Sequence, residues 1–221
     1  MQRSSFVRWS GWAFVLSGLM ALCLAVYATS NFALVQAPLA APTTESIVWN
    51  SLATVSRALG VVGALGLARS GAVGRRWWGW VGMVIFALGA ALNVLVSGSE
   101  VFKITMTSLM LDGNTASFSG LGLTIAGIAI IVERRWQSWR RFIPLLNALY
   151  GWLVVTPALI ISFSHGPAVL HWAVAGGVVT TILLGVALSS EAGNVGNVPP
   201  VSSAGDAHQP RTPVGMREGS R

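Results

Sequence analysis

The sequence predicts an all-α polytopic membrane protein, a bundle of six transmembrane helices with both termini on the cytoplasmic side. Three observations predict it. Hydrophobic residues make up 53% of the 221 and charged residues 10%, against roughly 25% charged in an ordinary soluble domain. The apolar residues gather in six runs, at about 11–29, 47–68, 78–97, 116–132, 142–163 and 168–189. The basic residues between those runs alternate between many and almost none. A soluble fold could not hide that much apolar surface and keep a polar skin. Each run can cross ~30 Å of hydrocarbon at about 1.5 Å per residue. Helix is the expected conformation, because an isolated strand leaves its backbone unsatisfied in lipid.

The first run follows Arg3, Arg8, Trp9 and Trp12 and is read as an uncleaved first helix. Cys23 lies inside it and has no second cysteine to pair with. It reads as a small buried hydrophobe. The Leu at position 22, directly before Cys23, stands where a lipoprotein signal wants a small residue and argues against one there. The Pro- and Thr-containing segment 30–46 carries no Lys or Arg, and Arg57 stands in the middle of the second run. Arg69, Arg75 and Arg76 precede the third run, and Lys103 alone follows it. In 98–114, Val101, Phe102, Ile104, Met106, Leu109 and Met110 are expected to form a short helix along the membrane surface. Arg134, Arg135, Arg140 and Arg141 separate the fourth and fifth runs, and no basic residue separates the fifth from the sixth. Pro144 suits a first helical turn, and Pro157 should kink the fifth helix. Residues 190–221 are rich in Gly, Pro, Ser, Val and Asn and are expected to be a disordered cytoplasmic tail.

Twelve basic residues thus fall on one side, Lys103 on the other, and Arg57 within a span. This is the positive-inside pattern, and it places the chain in the cytoplasmic membrane. The net charge of +7 is therefore read as attraction to anionic headgroups rather than to nucleic acid. The lipid bilayer is the expected partner, with another membrane protein or a second copy as further candidates.

One frame, Arg-Arg-Trp-x-x-Trp, occurs twice: Arg75, Arg76, Trp77 and Trp80, then Arg134, Arg135, Trp136 and Trp139. Both copies fall at predicted cytoplasmic turns. The arginines would hold the turn in water and the indoles would sit at headgroup depth, so all eight residues are expected to be interface anchors. Whether the copies record a duplicated hairpin stays open.

Arg57 is the leading candidate for binding. A cation at mid-helix costs ~2.5–3.5 kcal/mol on insertion scales. Asn50, Ala53, Arg57, Gly60 and Ala64 share one helix face, which should point into the bundle. Asn93, Asn147, backbone carbonyls, water or a bound anion could satisfy the guanidinium. Two readings stand: an internal anchor, or a site for an anionic headgroup or solute. All seven acidic residues fall outside the predicted cores, which speaks against proton- or cation-coupled transport. No metal-ligand spacing, phosphate loop or dinucleotide fingerprint occurs, so neither a metal nor a cofactor is expected.

Ser119 in Ser117-Phe118-Ser119-Gly120, His171 near the outer end of the sixth helix and Asn50 on the second form one catalytic constellation. It resembles the rhomboid family of intramembrane serine proteases, which also has six helices with cytoplasmic termini. The resemblance implies Ser119 as nucleophile, His171 as general base and Asn50 as an oxyanion donor. It covers about ten residues, and the family's Gly-x-Ser-Gly reads Ser-Phe-Ser-Gly here. As a whole, the layout resembles that of uncharacterised six-helix integral membrane proteins of bacteria with high-GC genomes. That resemblance implies no mechanism. The function expected from the sequence is a non-enzymatic membrane subunit, scaffold or sensor. The alternatives are a small transporter or lipid-binding protein built on Arg57 and, more remotely, the protease.

Overall fold

The computed structural model describes residues 2–30, 44–74, 76–101, 108–165 and 168–195. Among these residues every regular element is helical. The helices are α1 (Gln2–Ser30), α2 (Thr44–Arg69), α3 (Trp77–Val101), α4 (Ser108–Glu133), α5 (Ile143–Tyr150), α6 (Thr156–His165) and α7 (Ala168–Val195). A 3₁₀ turn (Ser138–Phe142) leads into α5, and a π turn (Gly151–Val155) joins α5 to α6, so these four pieces form one rod. Five stretches are long and apolar enough to cross a membrane: Ser4–Tyr27, Ile47–Arg69, Trp77–Gly98, Ser138–Ile161 and Trp172–Ala192. In α4 the apolar described part is shorter, Ser117–Glu133.

The helices run past the ends of their apolar runs. Residues 98–101 continue α3, and Ser108, Leu109 and Met110 open α4. They therefore belong to the two long helices and not to a separate surface helix; residues 102–107 lie outside the described residues. At the C-terminal side α7 continues through Ser190–Val195, which corrects the tail boundary expected at 190. Residues 196–221 lie outside the described residues.

The six rods pack in sequence order, each on the next, and α7 closes the ring against α1. Small residues make the closest approaches possible. On α1 and α2, Ser10 lies over Gly66, Phe14 over Gly63 and Ser17 over Gly60, which fixes them as antiparallel. On α3 and α4, a Cβ on Gly82 would lie 2.7 Å from the Ala126 nitrogen, and one on Gly122 would lie 2.7 Å from the Gly82 carbonyl. On α1 and α7, a Cβ on Gly11 would lie 2.7 Å from the Gly185 carbonyl. Lipid tails are as apolar as leucine, so such helices are held by close packing and interhelical hydrogen bonds rather than by escape from water.

One hydrophobic cluster unites the bundle, and it sits at one end. Val7 and Phe14 of α1, Leu67 of α2, Met83 and Phe86 of α3, Ile130 of α4, Ile143 of α5 and Leu184 and Leu188 of α7 are all buried in it. These positions flank the arginine-bearing turns. The tight turn after α2 needs glycine at two places, Gly71 (φ 74°) and Gly74 (φ 73°). Both lie in the left-handed region that disfavours a Cβ. A Cβ at Gly74 would also collide with the Glu133 carboxylate.

The fifth rod answers to its prolines. Pro144 falls in the first turn of α5, as expected. Pro157 lacks the N–H that would bond to the Leu153 carbonyl, and its ring crowds that oxygen. The chain meets this with the π turn one residue before Thr156. There the Thr156 backbone N–H and the Thr156 hydroxyl both donate to the Gly151 carbonyl, the latter at 3.1 Å.

Candidate functional site

Arg57 projects from mid-α2 onto α3. Its guanidinium donates to the Ser97 hydroxyl and, at 3.4 Å, to the Asn93 carbonyl. The Ser97 hydroxyl donates in turn to the same Asn93 carbonyl at 2.8 Å. Ser97 is buried and Arg57 half-buried. A cation in low dielectric is tolerable where such acceptors surround it. Asn93 contributes its backbone oxygen to this arrangement. Ser97 is the participant that sequence reasoning missed; it stands one turn from Asn93 on the same face of α3, and that spacing is the signal that could have found it.

Below Arg57, α2 is tied to α1 by a reciprocal pair. The Ser17 hydroxyl donates to the Ser56 carbonyl at 2.7 Å, and the Ser56 hydroxyl donates to the Ser17 carbonyl at 3.0 Å. Neighbouring residues 56 and 57 therefore bind α2 to two different helices. A double-mutant cycle should expose the second tie. Arg57→Gln and Ser97→Ala should each destabilise the bundle, and the double variant should fall short of their sum by ~1–2 kcal/mol. Unfolding titrations in mixed micelles check this, and strict additivity would contradict the pairing.

Asn147 lies elsewhere. It accepts from the Thr180 hydroxyl at 2.8 Å, tying α5 to α7. Tyr150, one turn on, donates to the Ala173 carbonyl at 3.0 Å, and its ring packs over Gly176 and Gly177. Asn147 and Arg57 thus serve different helix pairs.

Ser119 lies against α3. A Cβ added to Gly89 would meet the Ser119 Oγ at 2.5 Å and its backbone nitrogen at 2.7 Å, so the serine occupies the notch that this glycine leaves. Asn50 offers its backbone carbonyl to the Thr54 hydroxyl at 2.8 Å. The His171 side chain lies outside the described residues.

The two Arg-Arg-Trp-x-x-Trp copies fold differently. In the first, α3 starts at Trp77, which is 75% exposed, and Trp80 is exposed too. Arg76 Nε meets Glu133 Oε1 at 3.0 Å, and Arg75 lies outside the described residues. In the second, Trp136 is only 4% exposed and belongs to the hydrophobic cluster. An interface anchor was expected at Trp136, and its indole is enclosed by the cluster instead; Trp139 is exposed. The cause is the strain-bearing turn around it. Arg134 (φ 52°) ends α4 in a left-handed conformation, and Ser138 (φ 55°) opens the 3₁₀ turn from another. Between them the backbone reverses and drives the indole inward.

Glu191 of α7 completes that turn. It is 5% exposed and accepts from Arg140 at 3.1 Å and from the Gln137 backbone N–H at 3.4 Å. Arg134 and Arg135 are exposed and Arg141 half-buried. At the opposite ends of α1 and α2, a laterally open apolar cleft of about 660 Å³ lies between the two helices. Leu16, Met20, Cys23, Val48 and Leu52 line it. Tyr27 and Trp49, with ring centroids 5.4 Å apart, line it as well.

Arg57, Asn147 and Ser119, the residue types on which a chemical assignment would rest, are thus engaged in joining helices. No known family model, curated protein or solved structure matches the chain.

Proposed function

We propose that the chain is a six-span protein of the cytoplasmic membrane, with both termini cytoplasmic, that works without catalysis as a subunit, scaffold or sensor in the bilayer. One observation carries the functional part. The polar side chains that could have built a reactive or transport site are used instead as helix-to-helix ties: Arg57 to Ser97, Ser17 to Ser56, Asn147 to Thr180, and Ser119 in the Gly89 notch. The orientation rests on charge. Arg8, Arg69, Arg76, Arg134, Arg135, Arg140 and Arg141 cluster at the end that holds the hydrophobic core, as the positive-inside rule expects of a cytoplasmic face. The apolar part of α4, Ser117–Glu133, is near the lower bound of about 17 residues for a span and counts here as the sixth.

Two measurements test this. In a Cys23→Ala background, cysteines at Gln137 and Gln209 should react with an impermeant maleimide only after the membrane is opened. A cysteine at Gln36 should react in intact cells. The reverse pattern would overturn the topology. A fluorophosphonate probe should leave Ser119 unmodified, and labelling that disappears in Ser119→Ala would overturn the non-enzymatic reading in favour of the protease.

A further inference from the structure

The two arginine turns differ in how their charges are used. In the first, Arg76 is matched by Glu133, and Arg69 lies over the Phe6 ring at 5.2 Å. In the second, Glu191 matches Arg140 alone. Among the described residues, Arg134, Arg135 and Arg141 have no acidic partner. Arg141 also has its Nε enclosed without any hydrogen-bond acceptor, while its guanidinium lies 4.7 Å from the centre of the Phe142 ring. An enclosed, unsatisfied nitrogen on a cation is costly unless a counter-charge stands close by.

The same turn is held in place and carries apolar rings. Trp136 is buried beneath it, and Gln137 and Arg140 are both bonded to Glu191. These three ties hold the backbone, so the arginines stand on a fixed platform rather than a loose loop. Trp139 and Phe142 are exposed beside them. Exposed aromatic rings next to arginines at a helix end fit the boundary between headgroups and hydrocarbon, where rings enter the acyl region and cations meet phosphates. Arginine also offers the forked donors that a phosphate oxygen pair accepts.

We infer that the turn between α4 and α5 is a binding site for the phosphate-bearing headgroup of an anionic phospholipid, with Arg134, Arg135 and Arg141 as its donors and Trp139 and Phe142 as its floor. This rests on the reading that the arginine-rich end faces a membrane surface. It does not depend on which surface, so the binding test in micelles and the maleimide test of topology fail independently.

The experiment is native mass spectrometry of the full chain in detergent, titrated with phosphatidylglycerol, with phosphatidylcholine as neutral control and inorganic phosphate as soluble anion. Phosphatidylglycerol should be retained over phosphatidylcholine. A juxtamembrane arginine near an anionic surface contributes roughly fivefold, so the R135Q/R141Q variant should lose on the order of twentyfold in apparent affinity. Arg8→Gln removes an exposed charge at the same end, and it should change retention less than about twofold. Should R135Q/R141Q fail to fold, Arg135→Gln alone, at an exposed side chain, should still lose roughly fivefold. Equal losses in Arg8→Gln and R135Q/R141Q would overturn the site in favour of diffuse attraction. Unchanged retention in R135Q/R141Q would overturn it outright. Inorganic phosphate that displaces the lipid at equal concentration would assign the turn to a soluble anion instead.

Discussion

Gly185→Leu will open the ring between α1 and α7. A side chain at 185 would start 2.5 Å from the Gly11 carbonyl oxygen and 2.8 Å from the Val15 nitrogen. These are backbone atoms, which no rotamer change can move aside. Overfilling a packed site costs ~1–3 kcal/mol when neighbours can shift, and rigid backbone neighbours put this case at or above the upper end. A loss of about 3 kcal/mol lowers the melting temperature by roughly 6–12 °C in a chain of this size. The consequence reaches beyond one pair, because α7 is the rod that closes the ring and carries Thr180 and Glu191. Gly98→Ala is the control: nothing lies within 4 Å of a Cβ there. Removing a helical glycine should stabilise by up to about 1 kcal/mol. Thermal unfolding followed by size-exclusion chromatography in detergent separates the two. Equal stability of the Gly185→Leu and wild-type proteins would refute the close crossing.

Glu191→Ala is the second large effect. Removing one partner of a buried ion pair leaves the other charge uncompensated, at ~3–5 kcal/mol when both are fully buried. Arg140 keeps 30% of its side chain exposed, so a loss of about 2–4 kcal/mol is expected here. The Gln137 N–H loses its acceptor at the same time. Glu133→Gln makes the comparison, because Arg76 is 54% exposed. That pair should contribute less than ~1 kcal/mol and fade with added salt. Denaturation of the two variants at low and high salt decides the matter. A salt-insensitive loss for Glu191→Ala and a small, salt-sensitive one for Glu133→Gln are expected. Similar behaviour of the two would mean that Glu191 is not shielded.

The reasons some features could be read from the chain and others could not are physical. Long apolar runs and the side preference of arginine are one-dimensional signals, so the long helices could be placed without any knowledge of packing. Helix ends could not. Ser190 and Glu191 are polar and follow the last apolar run, yet they continue α7 because Arg140 and the Gln137 N–H supply a partner for the carboxylate. The Arg-Arg-Trp-x-x-Trp frame misled for a related reason. Its letters do not say where the backbone turns; Trp77 begins a helix and stays outside, while Trp136 sits in a reversal and goes in. For Arg57 the inward face of α2 was legible from its small neighbours. Asn93 and a backbone carbonyl were legible as acceptors, and the Asn93 carbonyl is one; Ser97 was not, because a lone serine has the same composition signal whether it binds a cation or merely packs.

The π turn at Gly151–Val155 acts as a phase adjustment in the fifth rod. One residue beyond the α-helical count advances everything after it by about 100°. That rotation sets which side of α6 meets α7, and among the described side chains of α6 it is Ala158 that is buried. Substitutions within 151–155 therefore leave the setting alone as long as the extra residue remains. Deleting a single residue there would restore regular winding and turn Ala158 away from its neighbour, so this rod is tuned by residue count as much as by residue type.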